Sequence, residues 1–301
     1  MELQSITIPE SDTHLQFGSS VKPIRDYQLS YSYIGFSITK QLTTVFPRTG
    51  YLIFTMVTGK DIETRFLNYE RSVTRPNHLY ISGLFTDSSL HVAQTGSGVC
   101  YAMKIHPVVG YHFLKIPMHE LLNRQIRICQ IIDLQDHFLE KTESNYEINT
   151  FDDPNVNYFF EKALPPKSAY QNDPIYHAVN SIIKKRGLIS VKRLAKHCFM
   201  SRRTLNRQFR LKVGLSPQAY AKIWQVQYAI ELIQLNPNDS LSEIAFKAGY
   251  YDVAHLARDF KKKVALLPSE LSNDINPLSK NYLQQTRHEA DLSDLYSSSG
   301  S

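Results

Sequence analysis

The chain has 301 residues, 42% of them hydrophobic and 21% charged, with 3 cysteines; this supports a packed core and excludes both wholesale disorder and a disulfide framework. The net charge is +6, but residues 171–272 hold 17 Lys and Arg against 7 Asp and Glu, while the remainder holds 17 against 21. A basic third on an otherwise mildly acidic chain points to a polyanion partner, nucleic acid before an anionic membrane surface.

No apolar run approaches the ~18–20 residues that cross a bilayer. Met1 to Glu10 alternates polar and apolar residues and carries Glu2, unlike a secretory signal. The expectation is a soluble, cytoplasmic protein without membrane contact, in which Cys100, Cys129 and Cys198 are reduced.

In chain order, residues up to about 115 read as strands. Tyr51 to Val57 is a β-rich run that stops at a turn signal, Gly59-Lys60-Asp61, and Ile62 to Tyr69 reads as its partner. His78 to Leu84 and Ser89 to Gln94 follow. Thr95-Gly96-Ser97-Gly98 reads as a tight turn into a returning strand, Val99 to Ile105. From Met118, apolar residues recur at helical spacing as far as Phe138 and predict a helix of some 20 residues. Residues 142–154 suit a loop, and Asn155 to Leu164 a short helix ended by Pro165-Pro166. Pro165 to Asp173 reads as an interdomain linker.

From Pro174 to Leu271 every apolar repeat is helical. Ile175, Ala178, Val179, Ile182 and Ile183 form one buried face, and Gly187 stops that helix. Ser190 caps a short helix, Val191 to His197. Ser201 caps a third, Arg202 to Lys212, and the short helix, three-residue turn and capped helix make a helix-turn-helix. On the third helix Leu205 and Phe209 face inward. Arg202, Arg203, Asn206, Arg207 and Arg210 lie on the other side, with no acid among them. Arginine bonds guanine O6 and N7 with both arms and asparagine does the same for adenine, so this face suits a major groove. Pro217 opens a helix to about Leu235; at about 1.5 Å per residue it spans roughly 28 Å. Asp239 or Ser240 then caps Leu241 to Ala248, Gly249 ends it, and Asp252 caps Val253 to Lys263. This second unit has the plan of the first. A stiff spacer of that length suits two readers one DNA turn apart, ~34 Å.

The second unit, Ile244-Ala245 through Gly249-Tyr250, Asp252, His255-Leu256, Arg258 and Phe260-Lys261, resembles the signature of AraC/XylS-type transcriptional regulators. The first unit agrees, in Leu194-Ala195, Met200-Ser201, Leu205, Arg207, Phe209, Gly214-Leu-Ser216-Pro217 and Tyr220. The resemblance covers about 100 residues. Gly83, Lys104-Ile-His-Pro107 and Pro117-Met-His-Glu-Leu121 are similar to a β-rich sensor region found in one branch of that family. Departures are Gln225 where the family's long helix usually has Arg, and Ala265, Leu267 and Leu271 in the closing segment.

The resemblance implies a sequence-specific transcription regulator that inserts two helices into successive major grooves of double-stranded DNA. Arg203, Asn206 and Arg207 match base-reading positions. In the second unit Val253, Ala254, His255 and Arg258 are expected at the DNA: Val253 and Ala254 offer only contact with a thymine methyl, His255 a base contact, and Arg258 a phosphate contact. Arg202, Arg210, Lys261 and Lys262 are expected at phosphates. The family also suggests contact with RNA polymerase and a homodimer formed through the first domain or the 121–138 helix. The expected fold class is α+β. It comprises a small N-terminal β-barrel or sandwich with sensing or dimerising role (1–116), a helical connector and linker (117–168), an all-α double helix-turn-helix domain (169–272) and a disordered tail (273–301).

The first-domain histidines, His14, His78, His91, His106 and His112, never form His-x-His with a nearby Glu, and no Gly-rich phosphate loop, Gly-x-Ser-x-Gly elbow or Cys-x-x-Cys is present. No catalytic residue, metal or cofactor is therefore expected. The aromatic residues between Tyr27 and Phe113 leave two readings open: an interior that holds a small-molecule effector, or an ordinary core. The alternative class is a small-molecule-binding protein or enzyme with an accessory DNA-binding unit; a structural nucleoid protein would not need two differently surfaced readers.

Overall fold

The computed structural model describes residues 4–8, 13–24, 27–46, 49–66, 73–74, 76, 78–86, 90–130, 154–264 and 267–271. The expected helix beyond residue 130, the acidic loop after it and the C-terminal tail lie outside the described residues.

The N-terminal half is one antiparallel sheet of eight strands: β1 (Gln4–Ile8), β2 (Thr13–Ile24), β3 (Tyr27–Phe46), β4 (Leu52–Phe66), β5 (Val73–Thr74), β6 (Leu79–Ser82), β7 (Leu90–Ile105) and β8 (Gln125–Arg127). Its order is β1-β2-β3-β7-β4-β6-β8, with β5 also on β4. No pairing joins β1 to β8 among the described residues, so the sheet is open rather than closed into a barrel, and the described strands form one sheet. The α+β class stands; the closed barrel does not.

Both expected glycine turns are absorbed into long strands. β4 runs through Gly59 and β7 through Gly96 and Gly98. Gly59 faces Gly98 across the ladder, and the β4–β7 register shifts between Lys60 and Glu63. Glycine in a strand can mark a bulge as readily as a turn; Gly59, at φ 127°, stays paired and the extra residue falls just after it, between Lys60 and Glu63, without reversing the chain.

The expected helix from Met118 is not formed over its first 13 residues. Met118–Leu121 is a 3-10 turn, Gln125–Arg127 is β8 and Ile128–Gln130 is a second 3-10 turn. Asn123 breaks the path at φ 59°. Its side chain accepts from the Thr86 amide at 2.7 Å and donates to the Thr86 hydroxyl at 2.9 Å, tying the bend to the sheet.

The helices are α1 (Pro107–Leu114), α2 (Pro154–Ala163), α3 (Pro174–Lys184), α4 (Val191–His197), α5 (Arg202–Lys212), α6 (Pro217–Leu235), α7 (Leu241–Lys247), α8 (Val253–Lys263) and α9 (Pro268–Leu271). Those from α2 onward start where the spacing and caps place them, within a residue, and α9 adds a short closing turn. It packs on α6 and α8, and Leu271 is buried, so the departures in this segment leave the closure intact. Within the stretch read as a linker, Pro165 and Tyr170 are buried.

Two cores result. The larger runs from Phe54 and Met103 of the sheet through α1, α2, α3, α4 and α5 to Trp224 of α6. The smaller holds the rest of α6 from Val226 with α7, α8 and α9. The first half of α6 is seated on the sheet: the Tyr220 hydroxyl donates to the Gly50 carbonyl at 2.8 Å, and the Trp224 ring meets Tyr51 edge-on at 5.5 Å.

Candidate nucleic-acid interface

The first unit is built by local chemistry. Ser190 Oγ accepts from the Arg193 amide (3.2 Å) and Ser201 Oγ from the Thr204 amide (3.1 Å), fixing where α4 and α5 begin. Leu194, Ala195, Leu205 and Phe209 are buried, which turns the opposite face of α5 outward. On that face Arg202, Arg203, Arg207 and Arg210 are all exposed. Asn206 is half-buried between them, and its Nδ2 donates to the Arg202 carbonyl at 2.8 Å, using one of its two amide hydrogens. Among the described residues none of these four arginines takes part in an ion pair.

The surroundings deepen this field. Residues 174–230 carry 12 Lys and Arg and no Asp or Glu. Lys192, Arg193 and Lys196 of α4 are exposed beside α5. Sequence reasoning did not single these three out; the signal that finds them is the complete lack of carboxylates around them. Cations with no acid to answer them concentrate positive potential at a surface and attract a polyanion.

The second unit has the same skeleton with another surface. Ser240 and Glu243 form a reciprocal capping box, and Asp252 Oδ1 accepts from the His255 amide at 2.6 Å. Ala254, Arg258, Lys261 and Lys262 are exposed. Val253 is partly buried against the second core, and the His255 ring lies edge-on to Tyr250 at 5.2 Å. Arg258 Nε donates to the Ala254 carbonyl at 3.3 Å. Residues 231–271 hold 5 Lys and Arg against 6 Asp and Glu, so this unit has no cationic excess. It shows instead exposed aromatics, Phe246 (83%) and Tyr251 (93%).

Cations of the first stretch meet acids of the second at the joint between the units. Lys222 Nζ is 2.5 Å from Asp259 Oδ2 and 4.4 Å from the Tyr250 ring centre; Arg186 pairs with Glu231 at 2.8 Å. Burial, with Asp259 beside it, pushes the Tyr250 phenol well above its ordinary pKa. Gln225, the residue that departs from the family pattern, donates through Nε2 to the Ala248 (2.8 Å) and Gly249 (3.1 Å) carbonyls. It thereby holds the turn that leads into α8.

Three of the first-domain histidines, His78, His106 and His112, have structural partners. His106 Nδ1 caps α1 by accepting from the Val108 amide, its ring packs on Tyr176, and burial lowers its pKa to about 3. His78 bonds the Pro76 carbonyl, and His112 bonds Asp173. Among the described residues no group of three His, Cys, Asp or Glu side chains could hold a metal ion, and no helix is long and apolar enough to cross a membrane.

Two capped helix-turn-helix units on one 19-residue helix define a double helix-turn-helix domain. Residues 194–274 match a helix-turn-helix domain family. Over 102 residues the chain is 28% identical to the HTH-type transcriptional regulator MtrA of Neisseria gonorrhoeae, covering 34% of each chain. Over 83 residues it is 31% identical to the HTH-type transcriptional activator RhaS of Escherichia fergusonii, covering 28% of this chain and 30% of that one. The chain thus matches about a third of the length of these relatives. Among solved structures, ToxT of Vibrio cholerae aligns with a TM-score of 0.43 at 12% identity, over 84% of this chain and 97% of that one. The AraC-like transcriptional activator CuxR aligns with a TM-score of 0.31 at 11% identity, over 67% and 75%.

Proposed function

We propose that this chain is a sequence-specific DNA-binding transcription regulator that places α5 and α8 in successive major grooves. The observation that carries this is the outer face of α5: four exposed arginines and an asparagine, without an ion pair among the described residues, on a stretch that holds no carboxylate. Arg203, Asn206 and Arg207 are the base readers, and each bidentate contact supplies about 1–3 kcal/mol of discrimination. Arg202 and Arg210 hold phosphates, joined by Lys192, Arg193 and Lys196, because the first helix of such a unit crosses the backbone. In the second unit Arg258, Lys261 and Lys262 hold phosphates, His255 is placed for a base edge, and Val253 and Ala254 offer apolar contact only. The first unit therefore reads most of the sequence.

The β-rich half, in this reading, receives a signal or joins a second copy; its support is the core it shares with the first unit. One relative is an activator by name, which supports an activating role. The test is a binding-site selection from random duplexes with the full chain. It should return two motifs about ten base pairs apart. Affinity for the selected duplex should then fall steeply with salt, by roughly 0.9 in log–log slope for each phosphate neutralised. No enriched motif, or a flat salt response, would overturn the reading.

A further inference from the structure

Asp173 is the last carboxylate before the acid-free stretch, one residue ahead of α3, and it does not face the solvent: its side chain is 6% exposed. Its two oxygens do different work. Oδ1 accepts from the Ile175 amide at 2.9 Å and caps α3. Oδ2 takes Lys212 Nζ at 2.5 Å and His112 Nε2 at 3.3 Å. Lys212 is the last residue of the first reading helix, and His112 lies on α1, directly after the sheet. One carboxylate thus joins three elements that meet nowhere in sequence.

The neighbourhood shows that the end of α5 is held and not merely adjacent. Lys212 Nζ also stands 5.8 Å from the Tyr111 ring centre, and only 18% of its side chain is exposed. Just beyond, Gly214 lies so close to the 118–121 turn that a Cβ there would stand 2.8 Å from the Met118 carbonyl oxygen. Burial alone would raise the Asp173 carboxyl, but Lys212, the Ile175 amide and His112 together hold it below the ordinary carboxylate range. A helix cap needs one oxygen; the second makes a buried tie to another helix. On the second reading helix, Asp259 pairs with Lys222 of α6.

We infer that Asp173 is a positioning residue for the first reading helix: through Lys212 and His112 it fixes the angle of α5 against α1, so the sheet half sets the pose in which Arg203, Asn206 and Arg207 meet a groove. This rests on the DNA-binding reading above and adds the part of the chain that governs it. Whatever displaces α1 then acts on the first unit before the second.

Asp173→Asn separates the two oxygens' roles. Asparagine caps a helix as well as aspartate, so α3 keeps its start, while the pull on Lys212 is lost. The variant gains one net positive charge, which by itself favours DNA of any sequence. The full-length parent, Asp173→Asn, Lys212→Gln and Lys212→Arg are compared on the selected duplex, on an unrelated duplex and by footprinting. For Asp173→Asn and Lys212→Gln, affinity for the selected duplex should fall about tenfold, the discrimination that a misplaced bidentate contact removes. Affinity for the unrelated duplex should stay within about twofold, or rise for Asp173→Asn. Protection of the first unit's motif should be lost while that of the second remains. Lys212→Arg, which keeps the pair, should behave as the parent. If both unpaired variants discriminate as well as a parent that selects a sequence, the inference is overturned alone. Equal loss on both duplexes, with a lowered melting temperature, would also overturn it in favour of a folding role. A parent that selects no sequence overturns the DNA-binding reading and this inference together.

Discussion

The two helix-turn-helix units share a skeleton and differ in almost everything laid over it. Both have a seven-residue helix capped by serine, a tight turn and an eleven-residue helix capped by a polar side chain. Yet the first holds no carboxylate from 174 to 230 and shares its core with the sheet, while the second is electrically balanced and has a core of its own. A skeleton specified by caps and a few buried apolar positions leaves the surface free to differ, and here it is cationic in one unit and of mixed charge in the other. The boundary falls inside a single helix, between Trp224 and Val226 of α6. Mechanically the chain is a large body containing the sheet and the first reader, with a smaller body attached by the far half of the spacer.

The largest effects should separate these bodies. Phe209 and Phe260 hold equivalent buried positions on α5 and α8, both at 0% exposure. Truncating either to alanine should cost about 3–5 kcal/mol, but in different places. Phe209→Ala should lower the stability of the sheet and first unit together. Phe260→Ala should free the second unit alone, with amide-exchange protection lost over 241–271 and kept on the sheet strands. Equal loss of protection across the chain in both variants would show one cooperative unit and break the comparison.

What could be read in advance follows the same division between local and distant causes. Ser190, Ser201 and Asp252 were legible as caps, and Ser240 as one of two candidates with Asp239, because the bond each makes reaches only three residues along its own chain. The spacer was legible to the residue, with Pro217 at its first turn and 19 residues to Leu235. The sheet was harder, since Gly59 and Gly98 carry a turn's chemistry and meet across a ladder that only the fold brings together. Apolar spacing after Met118 fitted a helix because period alone does not register Asn123, whose partner Thr86 is 37 residues away. On the candidate interface, the arginine face of α5 was visible from its spacing. The role of Asp173 was not, because its partners lie 39 and 61 residues distant.

A middle-sized effect should separate the readers. Asn206→Ala and Arg207→Ala should each remove about 1–3 kcal/mol of discrimination between the selected duplex and its single-base variants. Val253→Ala takes away apolar contact only and should leave that discrimination nearly intact. Affinity measured across a panel of point-changed duplexes gives both numbers directly. Were Val253→Ala to abolish target choice while Asn206→Ala and Arg207→Ala left it unchanged, the second unit would be the reader and the acid-free stretch merely an anchor.

The smallest effect bears on the one place where the shared skeleton is unevenly served. After each first helix the turn needs a residue in the left-handed region. In the second unit this is Gly249 at φ 71°, and in the first it is Phe199 at φ 52° with 98% of its surface exposed. A left-handed L-residue costs roughly 1–2 kcal/mol, and glycine returns part of that, about 0.4–1 kcal/mol, through the freer unfolded chain. Phe199→Gly should therefore stabilise the protein by about 0.5 kcal/mol, a small rise in melting temperature. The reverse exchange should carry the opposite sign. At Gly249 an added Cβ would crowd only Leu188 Cδ2, the end of an exposed side chain that can turn aside, so Gly249→Ala should destabilise by the backbone strain at φ 71°. Opposite signs at matched positions would confirm that both units demand the same left-handed residue after their first helix. A loss of stability in Phe199→Gly would mean that the exposed ring is held by something in the folded chain.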